Sequence, residues 1–279
     1  MRLANVNGRL TTFSGGQLVD VEKASEGRFP SDPQAVFERW EEFGRWAEGI
    51  SARGSAPVPD ANLGAPVPRP RQVFGIGVNY RDHAAEANAS VPDSPVVFTK
   101  FPTCVVGPSH VVQVAGETTD WEIELVAVIG RLARDVREED AWDHVAGVTV
   151  GQDLSDRTLQ LAGPLPQFSL GKSRPGFGPT GPWLVTPDEL PDRDDLALVC
   201  RLDGETVQES RTSAMIFPVP ALVARLSRVC PLLPGDLIFT GTPAGVGLGR
   251  SPQRYLRPGQ QLESSIEGVG DLRTRLSGP

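Results

Sequence analysis

The chain has 279 residues, is 39% hydrophobic and 22% charged, and carries a net charge of −8. That length suits one large domain or two small ones, and the acidic balance argues against nucleic acid or an anionic membrane as a partner. Glycine (30) and proline (26) are frequent enough to imply many loops and short strands, yet below the composition of a disordered chain.

Residues 1–30 read as short strands, with a turn at Ser14-Gly15-Gly16. Residues 33–52 read as one amphipathic helix started by Asp32-Pro33. Its apolar residues Val36, Phe37, Trp40, Phe43, Trp46, Ala47 and Ile50 recur at spacings of three and four. Five prolines between Pro57 and Pro70 mark an extended linker. The expected organisation is therefore a small N-terminal domain (1–56), a linker (57–70) and a large domain (71–279). Strand patterns dominate the large domain: 73–78, 96–100, 111–115, 120–130, 145–151, 181–186, 196–204, 236–241 and 261–276. Helix patterns are fewer, at 81–89, 138–142, 155–161 and 218–229. The fold class is α+β and predominantly β; the absence of regular β–α alternation excludes doubly wound and TIM architectures. No apolar run approaches bilayer-spanning length and the first residues lack a signal-peptide core, so a cytoplasmic protein is expected. Cys104, Cys200 and Cys230 are far apart and form no C-x-x-C or C-x-x-H, which indicates neither a disulfide framework nor a thiolate zinc site.

Four segments carry chemistry. As a strand, 120–130 presents Asp120, Glu122, Glu124, Val126 and Val128 on one face and Trp121, Ile123, Leu125, Ala127 and Ile129 on the other. Glu122 and Glu124 then lie ~7 Å apart on one face, raising each other's pKa unless a cation sits between them. A solvated acidic strand end would show the same pattern. Asp153 falls at a strand-to-helix corner, where a turn or capping role is the plain alternative. Three oxygen donors suit Mg²⁺ or Mn²⁺ better than Zn²⁺. In the second segment His83 and Glu86 stand one helical turn apart, the arrangement of an oriented general base or of a surface ion pair. In the third, Lys172 follows Gly171 on a turn and either reaches a substrate oxyanion or is an exposed loop lysine. In the fourth, the glycines of 239–247 let backbone N–H groups approach an anionic ligand. Only Lys23, Lys100 and Lys172 are lysine among 27 basic residues, which draws attention to each, since arginine serves wherever charge alone is needed.

Together these segments resemble the fumarylacetoacetate hydrolase family, in its short prokaryotic branch, from about Phe74 to Leu276. The resemblance rests on G-x-N-Y-x-x-H-x-x-E at 77–86, F-x-K-x-P at 98–102 and D-x-E-x-E-x-x-x-V-I-G at 120–130. It continues with D-x-S-x-R-x-x-Q at 153–160, the G-K-S turn with 177–186, and the proline- and glycine-rich run at 232–247. It implies a mixed β-roll with a small N-terminal α/β cap, a homodimer, and one Mg²⁺ or Mn²⁺ per subunit on Glu122, Glu124 and Asp153. It further implies His83, Glu86 and Lys172 as catalytic residues, and Tyr80, Lys100, Arg157, Gln160 and Thr242 as substrate-binding ones. The implied activity is hydrolytic C–C cleavage of an acylpyruvate or related 2,4-dioxo acid. Oxaloacetate decarboxylation or keto–enol isomerisation are alternatives on the same metal site, and a non-catalytic metal or oxo-acid binding protein is a further one. Gln152, Asp156 and Arg174-Pro175-Gly176 depart from the family pattern near the pocket rim.

Overall fold

The structure, a computed structural model, describes residues 1–14, 17–50 and 62–278. Gly15 and Gly16 of the expected N-terminal turn, the last residues of the expected helix and 57–61 of the expected linker lie outside them.

An 11-stranded mixed sheet forms the frame. Along its main path run Gln17–Asp20, Arg9–Ser14, Arg2–Val6, Gly178–Val185, Val145–Gln152, Ile123–Ile129, Leu237–Phe239, Val73–Gly77 and Val96–Thr99. A second sheet of five strands runs Glu205–Arg211, Ala197–Leu202, Gln261–Ile266, Gly270–Ser277 and Val111–Gln113. The fold is thus α+β with strands in the majority, as its patterning requires.

The central strand Ile123–Ile129 is buried along its whole length. Its alternation sorts side chains between two cores: Ile123, Leu125, Ala127 and Ile129 enter the larger one, Val126 and Val128 the smaller. A strand buried on both faces is apolar throughout, which is why Glu124 at its start is conspicuous. The expected strand is interrupted, however. Thr119–Asp120 pairs instead with Ser155–Asp156, and Trp121 and Glu122 form the corner between the two ladders.

The smaller core lies on the N-terminal side of the sheet, where Leu3, Leu10, Phe29, Phe37 and Phe43 pack with Val126, Val128 and Phe239. Strand Arg2–Val6 pairs directly with Gly178–Val185, so strands Arg2–Val6, Arg9–Ser14 and Gln17–Asp20 extend the large sheet rather than stand apart from it. The described part of the expected linker is equally engaged: Leu63–Gly64 pairs with Arg2–Val6, and Val67 is buried. The expected helix 33–52 divides into a 3₁₀ turn, Ala35–Arg39, and an α-helix, Trp40–Ala47. Burial of Val36, Phe37 and Phe43 holds both, each side chain contributing about 1.5–3 kcal/mol of transfer free energy. Strand Glu205–Arg211 carries no strand pattern of its own. It follows from the turn: Asp203 (φ 50°) and Gly204 (φ 85°) take the left-handed pair of values that a two-residue hairpin requires.

Candidate active site

Strand Ile123–Ile129, the corner before it, and the loop after strand Val145–Gln152 bring three acids together. Carboxylate oxygens of Glu122, Glu124 and Asp153 lie within 4.8 Å of one another, and all three residues are buried. The corner is locked by reciprocal bonds: Asp153 N–H donates to the Glu122 carbonyl at 2.9 Å, and Glu122 N–H donates to Gln152 Oε1 at 2.9 Å. Asp153 is therefore no helix cap. Asp156 takes that role for the short helix Arg157–Gln160, accepting from Leu159 N–H at 3.1 Å.

Cations hold the acids in place. Lys172 Nζ donates to Glu122 Oε2 (2.8 Å), Asp153 Oδ2 (2.7 Å) and Ser155 Oγ (2.9 Å). Lys100 Nζ donates to Asp153 Oδ1 (2.6 Å), to the Lys172 carbonyl and to the Phe177 carbonyl (3.2 Å). Each ammonium has three donors, and in both lysines all three are used. Arg157 gives Nε to Asp120 Oδ2 (2.8 Å), one terminal nitrogen to Glu122 Oε1 (2.7 Å) and the other to Gln160 Oε1 (2.9 Å).

The two glutamates end in opposite electrostatic states. Burial opposes the Glu122 charge, but Lys172, Arg157 and His83 outweigh it and bring its pKa down to about 2. Glu124 is held well above the carboxylate range by burial, then by Asp153 and Glu122. Among the described residues only Gly241 N–H bonds Glu124, at Oε2 (2.7 Å), which leaves Oε1 for a ligand. The donor set fits a hard divalent cation: three oxygens, no thiolate and no imidazole among them, and a mutual repulsion that such an ion relieves.

A cavity of about 380 Å³ opens over Glu122 and Lys172. His83 borders it on the short helix Arg81–Glu86, with Nδ1 3.0 Å from Glu86 Oε2. Glu86 is tethered in turn by Gly245 N–H at 2.9 Å. A carboxylate can only accept here, so Nδ1 carries the proton and Nε2 is left as the basic nitrogen. Arg157, Gln160 and Thr242 also border the cavity.

Several expectations change. Tyr80 and Lys100 lie outside the cavity lining; Tyr80 is fully buried under the helix that follows it, and Lys100 sits beneath Asp153. The Thr242 hydroxyl already donates to the Ile123 carbonyl (2.9 Å). The glycine-rich run does not point its amides at open space. Gly241, Gly245, Gly247 and Leu248 donate to Glu124, Glu86 and Asp120 instead. Glycine is needed at 247 by close approach, since a Cβ there would stand 1.8 Å from the Arg254 carbonyl oxygen.

Asp120 was expected only as one more acid on a strand face, yet it joins the site together. It is fully buried, accepts from Gly247 and Trp121 N–H through Oδ1, and accepts from Arg157 and Leu248 through Oδ2. The alternation D-x-E-x-E was the only signal for it. Two departures from the family pattern also meet: Arg174 pairs with Asp156 at 2.7 Å. Gln152 spans to the second sheet, donating to Ser264 Oγ at 2.8 Å.

A structure of an HpcE-like protein from Mycobacterium smegmatis is 53% identical, with a TM-score of 0.96 over 100% of this chain and 99% of that one. Maleylpyruvate hydrolase from Sphingobium sp. SYK-6, solved in complex with manganese(II) and pyruvate, is 27% identical, with a TM-score of 0.81 over 100% and 99%. The human mitochondrial oxaloacetate tautomerase FAHD2A is 41% identical over 275 residues, 96% of this chain and 86% of the relative. The model of the fumarylacetoacetate (FAA) hydrolase C-terminal domain matches residues 72–277, the stretch that holds all three acids, His83 and Lys172, and the chain belongs to the fumarylacetoacetate hydrolase family.

Proposed function

We propose that the chain is a divalent-cation-dependent enzyme that cleaves the C–C bond of an acylpyruvate or related 2,4-dioxo acid with water. The observation that carries this reading is the His83–Glu86 pair lining one cavity with Glu122, whose carboxylate lies within 4.8 Å of those of Glu124 and Asp153. Glu122, Glu124 and Asp153 are the residues that would hold the ion. A bound divalent ion supplies Lewis acidity to the substrate's 2-oxo oxygen. The manganese and pyruvate in the Sphingobium relative support an ion and a 2-oxo acid sharing such a site.

The chain's own residues account for the proton movements. Glu86, fixed by Gly245, orients the imidazole, and Nε2 takes a proton from water. The hydroxide so formed adds to the distal carbonyl carbon. The new oxyanion requires a donor, and Lys172 supplies one by exchanging its weakest acceptor, the neutral Ser155 hydroxyl, for the charged oxygen. The C3–C4 bond then breaks, its electron pair passing to the pyruvate fragment as an enolate, while the acyl fragment leaves as a carboxylic acid. His83, now protonated, returns its proton to the enolate carbon.

A second reading is keto–enol exchange of a 2-oxo acid at the same site, favoured by the name of the human relative. It needs the same base but no water. The test is pyruvate release from acetylpyruvate and keto–enol exchange of oxaloacetate, with Mg²⁺, Mn²⁺ or EDTA, for wild type and His83→Ala. The hydrolytic reading expects metal-dependent pyruvate release that the variant loses by ~10²-fold or more. Unchanged acetylpyruvate turnover in His83→Ala would refute the assignment of the base.

A further inference from the structure

We infer that the cavity selects 2-oxo acids carrying a single carboxylate and an uncharged, apolar tail, and rejects those with a second carboxylate at the far end. This rests on the hydrolytic reading above, not on the keto–enol one, whose substrate oxaloacetate carries a second carboxylate; it goes beyond the hydrolytic reading, which leaves the distal group open.

The argument is an inventory of charge. The basic side chains bordering the cavity, among the described residues, are Arg157, Lys172 and His83. Each is already paired within the protein: Arg157 with Asp120 and Glu122, Lys172 with Glu122 and Asp153, His83 with Glu86. Arginines near the rim are turned elsewhere. Arg174 pairs with Asp156, Arg254 with Glu205, and Arg250 donates to the carbonyls of Val207 and Gly245. Arg81 is exposed and outside the lining. A distal carboxylate entering this space would lose its hydration and meet Glu86 and Glu122 in the same walls; beyond the one Lys172 donor that the reaction's oxyanion takes from Ser155, it would find no cation without displacing one from a protein acid.

The remaining walls suit a different tail. Ile76, Phe98, Leu161, Phe168, Val246 and Leu248 supply apolar surface. Phe98 and Phe168 pack edge to face at 5.6 Å and make a rigid aromatic side. A neutral side-chain donor that remains, among the described residues of the lining, is the Gln160 amide nitrogen, whose partner oxygen is held by Arg157. A neutral amide satisfies an acyl carbonyl but does not neutralise a carboxylate. The Gln253 amide is another such donor, since it gives a single hydrogen to the Leu248 carbonyl while its oxygen accepts from Tyr255. Leu161, at the end of the helix Arg157–Gln160 and half-exposed, is the position from which a single side chain would change the selection.

The test uses two unreactive ligands that differ only at the far end, 2-oxohexanoate and 2-oxohexanedioate. Binding to the full chain is measured by titration calorimetry in the presence of Mn²⁺. Wild type should bind the monoacid at least about tenfold more tightly than the diacid. Leu161→Arg, which places a cation at the mouth, should narrow or invert that ratio mainly by tightening the diacid. Equal or tighter binding of the diacid by wild type overturns the selectivity while leaving the 2-oxo acid reading intact. Failure of wild type to bind either ligand overturns both. A Leu161→Arg variant that binds the monoacid as wild type does, yet gains nothing for the diacid, overturns the charge argument.

Discussion

Replacing Asp120 by asparagine keeps the shape of the side chain and removes its charge and one acceptor. In the native site, Oδ1 accepts from Gly247 N–H at 2.7 Å and Trp121 N–H at 2.8 Å, and Oδ2 accepts from Arg157 Nε at 2.8 Å and Leu248 N–H at 3.0 Å. The amide has a single oxygen. If it faces the glycine loop, its NH₂ is driven against Arg157 and Leu248; if it turns round, Gly247 and Trp121 lose their acceptor. Two buried donors are orphaned either way, at ~1–3 kcal/mol each. Arg157 is left with Glu122 as its one carboxylate partner. Removing one partner of a buried charge pair costs about 3–5 kcal/mol, and the two estimates describe overlapping losses, so about 3–5 kcal/mol is the expected total. A domain of this size has roughly 5–15 kcal/mol in hand, and the melting temperature should fall by on the order of 10 °C.

The assay is urea and thermal unfolding of wild type, Asp120→Asn, Arg157→Met and the double variant. Because the two side chains share one buried pair, the double variant should be more stable than the sum of the single losses implies, by ~1–3 kcal/mol. Asp120 also fixes Gly247 and Leu248, which border or adjoin the cavity, so KM should rise more than kcat falls. An Asp120→Asn protein that unfolds within about 0.5 kcal/mol of wild type, with strictly additive losses in the double variant, would refute the idea that this carboxylate joins the site together.

Two further outcomes follow from the same charges. Mn²⁺ or Mg²⁺ should raise the unfolding free energy by about 2.7 kcal/mol when present at ~100 times its dissociation constant. EDTA should reverse the gain and Glu124→Gln should abolish most of it, as read by differential scanning calorimetry. Lys100→Met removes the cation beneath Asp153 while conserving volume, and should cost about 3–5 kcal/mol in EDTA. Much of that loss should return with saturating Mn²⁺, since a divalent ion restores positive charge beside the same carboxylate; an equal loss with and without metal would show that Lys100 acts by packing alone.

Much of the frame was legible because it follows from period. Alternation over 123–129 separates two apolar faces, and the structure sends those faces into two cores. What period does not show is which segments share a core. A proline-rich stretch reads as a linker whether it swings free or, as at Leu63–Gly64 and Val67, lies along a strand and fills the interior. The N-terminal residues likewise read as a separate unit until Arg2–Val6 is seen pairing with Gly178–Val185. Strand Glu205–Arg211 was hidden by weak alternation, although the Asp203-Gly204 turn before it was a usable signal.

The site divides along a similar line. Residue type and spacing point to three acids and an imidazole, because those groups carry their chemistry wherever they meet. They do not tell which donors are still free once the chain has closed. Lysines at 100 and 172 and the amides of the glycine loop all read as groups for a ligand, yet each is spent on a protein acceptor, some more than a hundred residues away: Gly247 reaches Asp120 across 127 positions. The consequence is functional. With Lys172, Lys100 and Arg157 committed to Asp120, Glu122 and Asp153, the protein has used its buried positive charge to assemble a nest of carboxylates. The groups left over, Glu124 Oε1 and His83 Nε2, are an acceptor for a cation and a base for a proton. A site built this way would draw its further positive charge from an ion, so the proposed metal dependence and the proposed intolerance of a second substrate carboxylate are two faces of one electrostatic constraint.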